Sequence, residues 1–313
     1  MIERRGDLSF ASKNMRLAVP YVLDSGVRRK QEEREIFLHI PKCAGTNINF
    51  LLSVYCAYLR QQYHRLVVTD FQPPIWIGPG WTGAWATIPA DKMEKAAAAN
   101  FVSGHFPFGV DALLPGASHY ITLVRDPVER EVSSYNFHFQ RGFIDGSVSL
   151  TDYVRRGDLV DNPQTRMLAG REAMSGPCTE ETLALARRNL ETRFALVGAV
   201  PYVHEYICAL LGMHGWAPLL YAKAQITAVR SIEKVDDDLR QLLMRYHRLD
   251  VQLHQHAIQS WLAWARRFVV AERPVAGDQA VLVIPPDFYT SRRSHCIKAA
   301  SLSRPGATAS PAP

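Results

Sequence analysis

The sequence lacks several features, and each absence narrows the kind of protein it encodes. No apolar run reaches the roughly 18 residues that a membrane span requires, so no integral membrane segment is expected. Met1 to Lys30 is basic and mixed, without the apolar centre of a secretory signal. Five cysteines (Cys43, Cys56, Cys178, Cys208, Cys296) include no CxxC pair and no metal-ligand spacing. Such a scattered, odd set reads as free thiols in a reducing compartment, and a cytoplasmic location is the expectation. His254 and His256 stand two apart on an expected helix and so face different ways, and no metal site is expected. No internal repeat is present. Lys and Arg are spread rather than blocked, so a net charge of +6 and a pI near 9.1 favour anionic ligands without calling for nucleic acid.

What is present suffices for a sizeable core. The 313 residues are 47% hydrophobic and 21% charged, in keeping with one large domain. The organising stretch is residues 36–47. Ile36 to Ile40 reads as a buried strand, a turn holding Pro41 and Gly45 follows, and Ile48, Phe50, Leu51, Leu52 and Val54 continue as a helix to about Arg60. A strand entering a helix through small residues leaves backbone N–H groups aimed at one spot. Those donors and the positive helix end favour an anion, and Lys42 adds a full charge. The stretch is not a Walker A loop, because its glycine follows Lys42 by three residues and proline precedes the lysine. The plainer alternative is an ordinary strand–loop–helix with a solvated lysine.

Residues 1–35 read as an arm. Residues 67–89 carry Trp76, Trp81 and Trp85 among prolines and glycines, which excludes a regular helix and leaves either a stacking platform or a loop pinned by buried indoles. A helix over 91–100 is followed by a strand ending at His105 and a strand 120–125 ending at Arg125. Asp126, Pro127 and Glu129 then make a strong helix start. Helices are expected over about 127–141, 149–156, 180–192, 203–213, 232–248 and 250–269, with one more strand over 194–200. Residues 271–313 read as a C-terminal extension, with 299–313 rich in Ala, Ser and Pro and expected to be disordered. Strands alternating with helices imply a parallel sheet covered on both faces, with ligands beyond the carboxyl ends of its strands. Lys42, His105 and Arg125 all fall at such ends. Arg125 and Ser133 stand eight apart, and a guanidinium with a hydroxyl suits a phosphate monoester. The alternative is that Arg125 pairs with a carboxylate and Ser133 is a routine helix residue.

Taken together, HIPKCAGTN (39–47), GHFPFG (104–109) and LVRDPVEREVSSY (123–135) resemble three motifs of one family. That family is the sulfotransferases that use 3′-phosphoadenosine 5′-phosphosulfate (PAPS), in the carbohydrate-type branch related to heparan-sulfate 2-O-sulfotransferases and bacterial relatives. DNPQTRMLAG, FALVGAV and RLDVQLHQHA look like later landmarks, so the likeness runs over residues 36–260.

The resemblance implies a P-loop-type three-layer α/β fold, with a sulfotransferase domain over 36–270, and sulfuryl transfer to a hydroxyl of a carbohydrate or glycoconjugate. It implies that Lys42 steadies charge on the phosphosulfate, that Lys42, Cys43, Ala44, Gly45, Thr46 and Asn47 hold the 5′-phosphate, and that Arg125 and Ser133 hold the 3′-phosphate. His105 takes the place of general base, the alternative being a structural hydrogen-bonder. Arg166 could face acceptor or nucleotide, or pair with Asp161 or Glu172.

Two positions depart from the family pattern. Cys43 replaces a usual hydroxyl residue, and Asn47 another. A thiol beside Lys42 at a helix start is expected to have a lowered pKa and to be sensitive to oxidation. Rival functions are a nucleotide kinase, with Asp126 as the only obvious magnesium ligand, and a catalytically silent nucleotide-binding protein.

Overall fold

A computed structural model describes residues 15–21, 33–49, 51–52, 68–70, 90–99, 101–145, 147–157, 159–222, 235–265, 280–284 and 295–298. The Trp76/Trp81/Trp85 stretch, Cys56 and the 299–313 tail lie outside these residues. The chain divides into two compact units.

The larger unit is built on a parallel sheet of strands β2 (Arg34–Leu38), β3 (Val68–Asp70), β4 (Phe101–Gly104), β5 (Ser118–Val124) and β6 (Phe194–Ala199), in the order β3-β4-β2-β5-β6. Every neighbouring pair is parallel. The central strand β2 is buried along its whole length, as a strand covered on both faces must be. Two of its five residues are charged, and burial demands partners for them. The Arg34 guanidinium donates to the carbonyls of Ala97, Ala99 and Pro115 at 2.7–2.9 Å, two of these at the carboxyl end of α2 (Ala90–Ala98). Glu35 Oε2 lies 3.2 Å from His119 Nε2.

Helices flank the sheet. After β2 comes α1, described at residues 45–49 and 51–52. After β5 comes α3 (Pro127–Gln140), capped as expected by Asp126, whose side chain accepts the Glu129 N–H at 3.0 Å. Then follow α4 (Leu150–Arg155), α5 (Pro163–Ala169), α6 (Glu180–Arg193), α8 (Asp237–Tyr246) and α9 (Arg248–Ala265). Ile36, Leu38, Val102, Val124, Leu249 and Leu253 belong to the core beside the sheet, while Val128, Tyr135, Leu150, Leu239 and Leu243 form a second cluster between α3, α4 and α8. The expected helix over 232–248 begins at Asp237, where Asp236 caps it through the Leu239 N–H, and residues 232–234 lie outside the described set.

The smaller unit has a mixed sheet, β1 (Met15–Ala18), β7 (Leu219–Ala222), β8 (Ala280–Ile284) and β9 (His295–Lys298), and most of α7 (Val203–His214). β1 and β7 are antiparallel, β7 and β8 parallel, β8 and β9 antiparallel. Residues 15–18, expected in an arm, thus form a strand. Among the described residues, no helix is long and apolar enough to cross a membrane.

Candidate active site

The three strand ends singled out above belong to adjacent strands. β4, β2 and β5 are consecutive in the sheet, and register places Leu38 level with both Gly104 and Thr122. His105 therefore lies one residue beyond that line on one side, Arg125 three beyond on the other, and Lys42 follows the strand between them. In a parallel sheet all three leave by the same edge.

The turn after β2 is strained in a useful way. Lys42 and Ala44 have φ of 68° and 60°, left-handed values that cost a residue with a Cβ roughly 1–2 kcal/mol each. Left-handed residues alternating with others turn successive N–H groups toward one side, the geometry of an anion-binding nest. The turn is closed by Cys43 N–H to the Ile40 carbonyl at 3.3 Å and Asn47 N–H to the Ala44 carbonyl at 3.1 Å. Helix α1 starts at residue 45, so its first N–H groups have no acceptor within the helix. Gly45 is buried, Thr46 exposed and Asn47 half-buried. A Cβ on Gly45 would sit 2.0 Å from His39 Cδ2, so only glycine lets the ring lie against this turn.

The Lys42 side chain is half-buried, with Nζ 4.3 Å from the centre of the Phe137 ring, in cation–π range. Burial lowers its pKa to about 8, and the charges of Arg125, Arg130 and Arg141 push the same way. Burial is the larger cause, and the three guanidinium groups close enough to add to it make this a place where an anion would be favoured. Arg125 joins the group directly: its Nη1 donates to the Lys42 carbonyl at 3.2 Å, and its Nε reaches Glu129 Oε2 at 3.4 Å. The carboxylate pairing considered as an alternative for Arg125 is thus present, on the exposed side. Ser133 lies half-buried on α3, one turn beyond Glu129 and Arg130.

His105 is held by its Nδ1, 2.7 Å from the His39 carbonyl. A carbonyl only accepts, so Nδ1 carries the proton and Nε2 keeps its lone pair. Burial lowers its pKa, the bond to His39 partly offsets this, and Lys42 lowers it further. The imidazole is therefore neutral at pH 7 and able to take a proton. The His39 ring lies 4.2 Å from the His105 ring, centre to centre. Its Nδ1 accepts from Asn49 Nδ2 at 3.2 Å, and Asn49 Oδ1 accepts from the Ser103 hydroxyl.

Cys43 corrects an expectation. Its thiol is buried, donates to Gln164 Oε1 at 3.5 Å, and is pushed up to about 12 by burial rather than lowered. The side chain faces the core, so it is neither a reactive thiolate nor a side-chain ligand.

Residues 26–167 match the model of the Sulfotransferase family. The match takes in a little under half of the chain. The chain has no significant match among curated proteins. Among solved structures it is similar to a sulfotransferase from Alicyclobacillus acidocaldarius, at 17% identity over 75% of this chain and 99% of that one, with a TM-score of 0.42. It is also similar to a retinol dehydratase complexed with retinol and PAP, at 11% identity over 77% and 73% of the two chains, with a TM-score of 0.33.

The matched residues include Lys42, His105, Arg125, Ser133 and, near their end, Arg166. The expectation of an acceptor-facing Arg166 is not met. The residue is 4% exposed, and its guanidinium donates to Asp161 Oδ1 at 2.6 Å, to the Asp161 carbonyl at 2.9 Å, and to the carbonyls of Ala173 and Gly176 at 2.7 and 2.9 Å. It locks residues 161–176 together, with Asp161 as the foreseen structural partner.

Sequence reasoning missed the polar frame beneath the site. Asp250 of α9, wholly buried, accepts the N–H groups of Gln164 and Thr165 at 3.1 and 2.7 Å and so caps α5 from outside it. Asn162 returns the arrangement, its Oδ1 accepting the N–H groups of Leu249 and Asp250 at 2.9 and 3.2 Å. The available signal was a run of polar residues, Asn162, Gln164 and Thr165, in a segment with Met167 and Leu168, facing an aspartate amid the apolar positions of α9. Asp250→Ala is expected to cost about 2–4 kcal/mol, because two buried donors lose their acceptor. A urea unfolding midpoint unchanged from wild type would contradict this.

Proposed function

We propose that the protein transfers a sulfuryl group from PAPS to a hydroxyl of a carbohydrate or glycoconjugate, with His105 as general base. The observation that carries the reading is the bond from the Arg125 guanidinium to the Lys42 carbonyl. It brings the lysine turn and the arginine that starts the 3′-phosphate motif to one mouth of the sheet, as a ligand phosphorylated at two positions requires. The excess of positive charge around Lys42 suits such a ligand.

In this reading Lys42 and the N–H groups of Ala44, Gly45 and Thr46 hold the 5′ side, with Asn47 reaching it through its side-chain amide because its N–H, like that of Cys43, closes the turn, and Arg125 and Ser133 hold the 3′-phosphate. PAPS supplies an activated sulfuryl group whose sulfur–oxygen bond to phosphate breaks as the acceptor oxygen bonds to sulfur. His105 Nε2 takes the acceptor proton, and Lys42 stabilises the charge left on the phosphate oxygen. The carbohydrate acceptor rests on the resemblance of the GHFPFG block. Asp126, the magnesium ligand a kinase would need, has an oxygen bonded to the Glu129 N–H as a helix cap.

The first test is thermal stabilisation by adenosine 3′,5′-bisphosphate against ATP with magnesium, followed by transfer of labelled sulfate to saccharide, glycolipid and tyrosine-peptide acceptors. Stabilisation by ATP and not by the bisphosphate, or transfer to tyrosine alone, would overturn the corresponding part of the proposal.

A pH dependence follows. Lys42 is charged below about pH 8 and loses its proton above it, so kcat/KM for PAPS falls on the alkaline side from about that pH. His105, with a lowered pKa, gives an acid limb below the ordinary histidine range. Lys42→Arg, which does not titrate there, should remove the alkaline limb. A limb that persists in that variant would show another group to be responsible.

A further inference from the structure

Gln164 has no part in the scheme above, yet it lies wholly buried where the two anion-binding turns meet. Its Oε1 accepts the Arg125 N–H at 2.9 Å, and its Nε2 donates to the Arg125 carbonyl at 2.9 Å. A side-chain amide that pairs with both backbone groups of one residue stands in for a neighbouring strand. The place fits, because Arg125 is the first residue after β5, just past the final paired position Val124–Ala199. The same Oε1 accepts the Cys43 thiol, so a single amide touches the turn bearing Lys42 and the turn bearing Arg125. Its own position is set by the Asp250 carboxylate through the Gln164 N–H.

We infer that Gln164 is a positioning residue, which fixes the Arg125 main chain against the Lys42–Ala44 turn so that two phosphate groups of one ligand are met together. The inference rests on the nucleotide reading proposed above. Gln164 is too deeply buried to touch a ligand and acts only through Arg125 and Cys43. Its removal should therefore weaken ligands that need both turns more than ligands that need one.

The test compares adenosine 3′,5′-bisphosphate with adenosine 5′-monophosphate by calorimetry. Gln164→Met is close in shape and removes all three side-chain bonds. Wild type is expected to prefer the bisphosphate, and in Gln164→Met that preference should shrink about tenfold, the scale of one or two lost buried hydrogen bonds, while monophosphate binding is largely kept. Gln164→Glu keeps an acceptor for the Arg125 N–H but not the donor, so its preference should fall between the two. It also decides the matter if urea unfolding shows the methionine variant to be unfolded. A folded variant with the wild-type preference, or one that loses both ligands in parallel, overturns the positioning role. A wild type without any preference overturns the nucleotide reading itself and this inference with it, and that result needs no variant.

Discussion

Replacing His105 with alanine is expected to lower turnover by about 10²–10⁴-fold, the usual weight of a general base, while adenosine 3′,5′-bisphosphate still binds. The argument is one of tautomer and charge. The His39 carbonyl can only accept, so it fixes the His105 proton on Nδ1 and leaves Nε2 as the basic nitrogen. Burial and the nearby Lys42 charge keep the ring neutral, so no proton has to leave before the acceptor hydroxyl can give one up. The nucleotide contacts proposed here lie on β2 and β5 turns and do not pass through His105. Steady-state rates and calorimetry on the same preparation separate the outcomes. Turnover within a few-fold of wild type would make His105 a structural hydrogen-bonder, and loss of binding along with turnover would place it in the nucleotide site instead.

The motifs were legible because they sit on local signals. The Asp126–Pro127–Glu129 helix start depends on residues three apart, and α3 begins where they say. The parallel sheet follows from the alternation of short apolar runs with longer helical ones, and the convergence of Lys42, His105 and Arg125 follows from the sheet. Contacts over long separations were not legible. For Arg166 the sequence left a ligand role and a pairing with Asp161 or Glu172 open, and only the fold selects Asp161 and adds the carbonyls of Ala173 and Gly176. Cys43 was expected to be activated by Lys42 and the helix start, but burial outweighs both, and whether a thiol points inward is not written in its neighbours. Gln164 and Asp250 lie 86 residues apart, and nothing local predicts that one helix caps the other. Strands β1 and β7 were missed for the same reason, since each is four residues long and has meaning only through its partner.

Gly45→Ala poses the sharpest conflict between local preference and packing. On an isolated helix the change would favour the first turn by up to about 1 kcal/mol. Here the new Cβ would meet His39 Cδ2 at 2.0 Å, Nε2 at 2.3 Å and Cγ at 2.7 Å. Cγ is the root of the ring, so the ring must swing as a whole, and it lies between Phe37 at 5.4 Å and His105 at 4.2 Å with its Nδ1 bonded to Asn49. Overpacking of this kind costs about 1–3 kcal/mol, which outweighs the helix gain. The displacement should also reach the chemistry, because the same histidine holds His105 through its carbonyl, and a shift near 1 Å in a catalytic group can cost about 100-fold in rate. Gly45→Ala is therefore expected to unfold at lower urea and to lose turnover by about that factor. His39→Ala in the same background removes the ring and keeps the carbonyl that holds His105, so it should recover part of the stability and part of the rate. The two single variants and the double form a cycle whose coupling measures the contact. A Gly45→Ala protein as stable and as active as wild type would show that the ring has room to move, and the tight approach of β2's turn to His39 would then have no bearing on function.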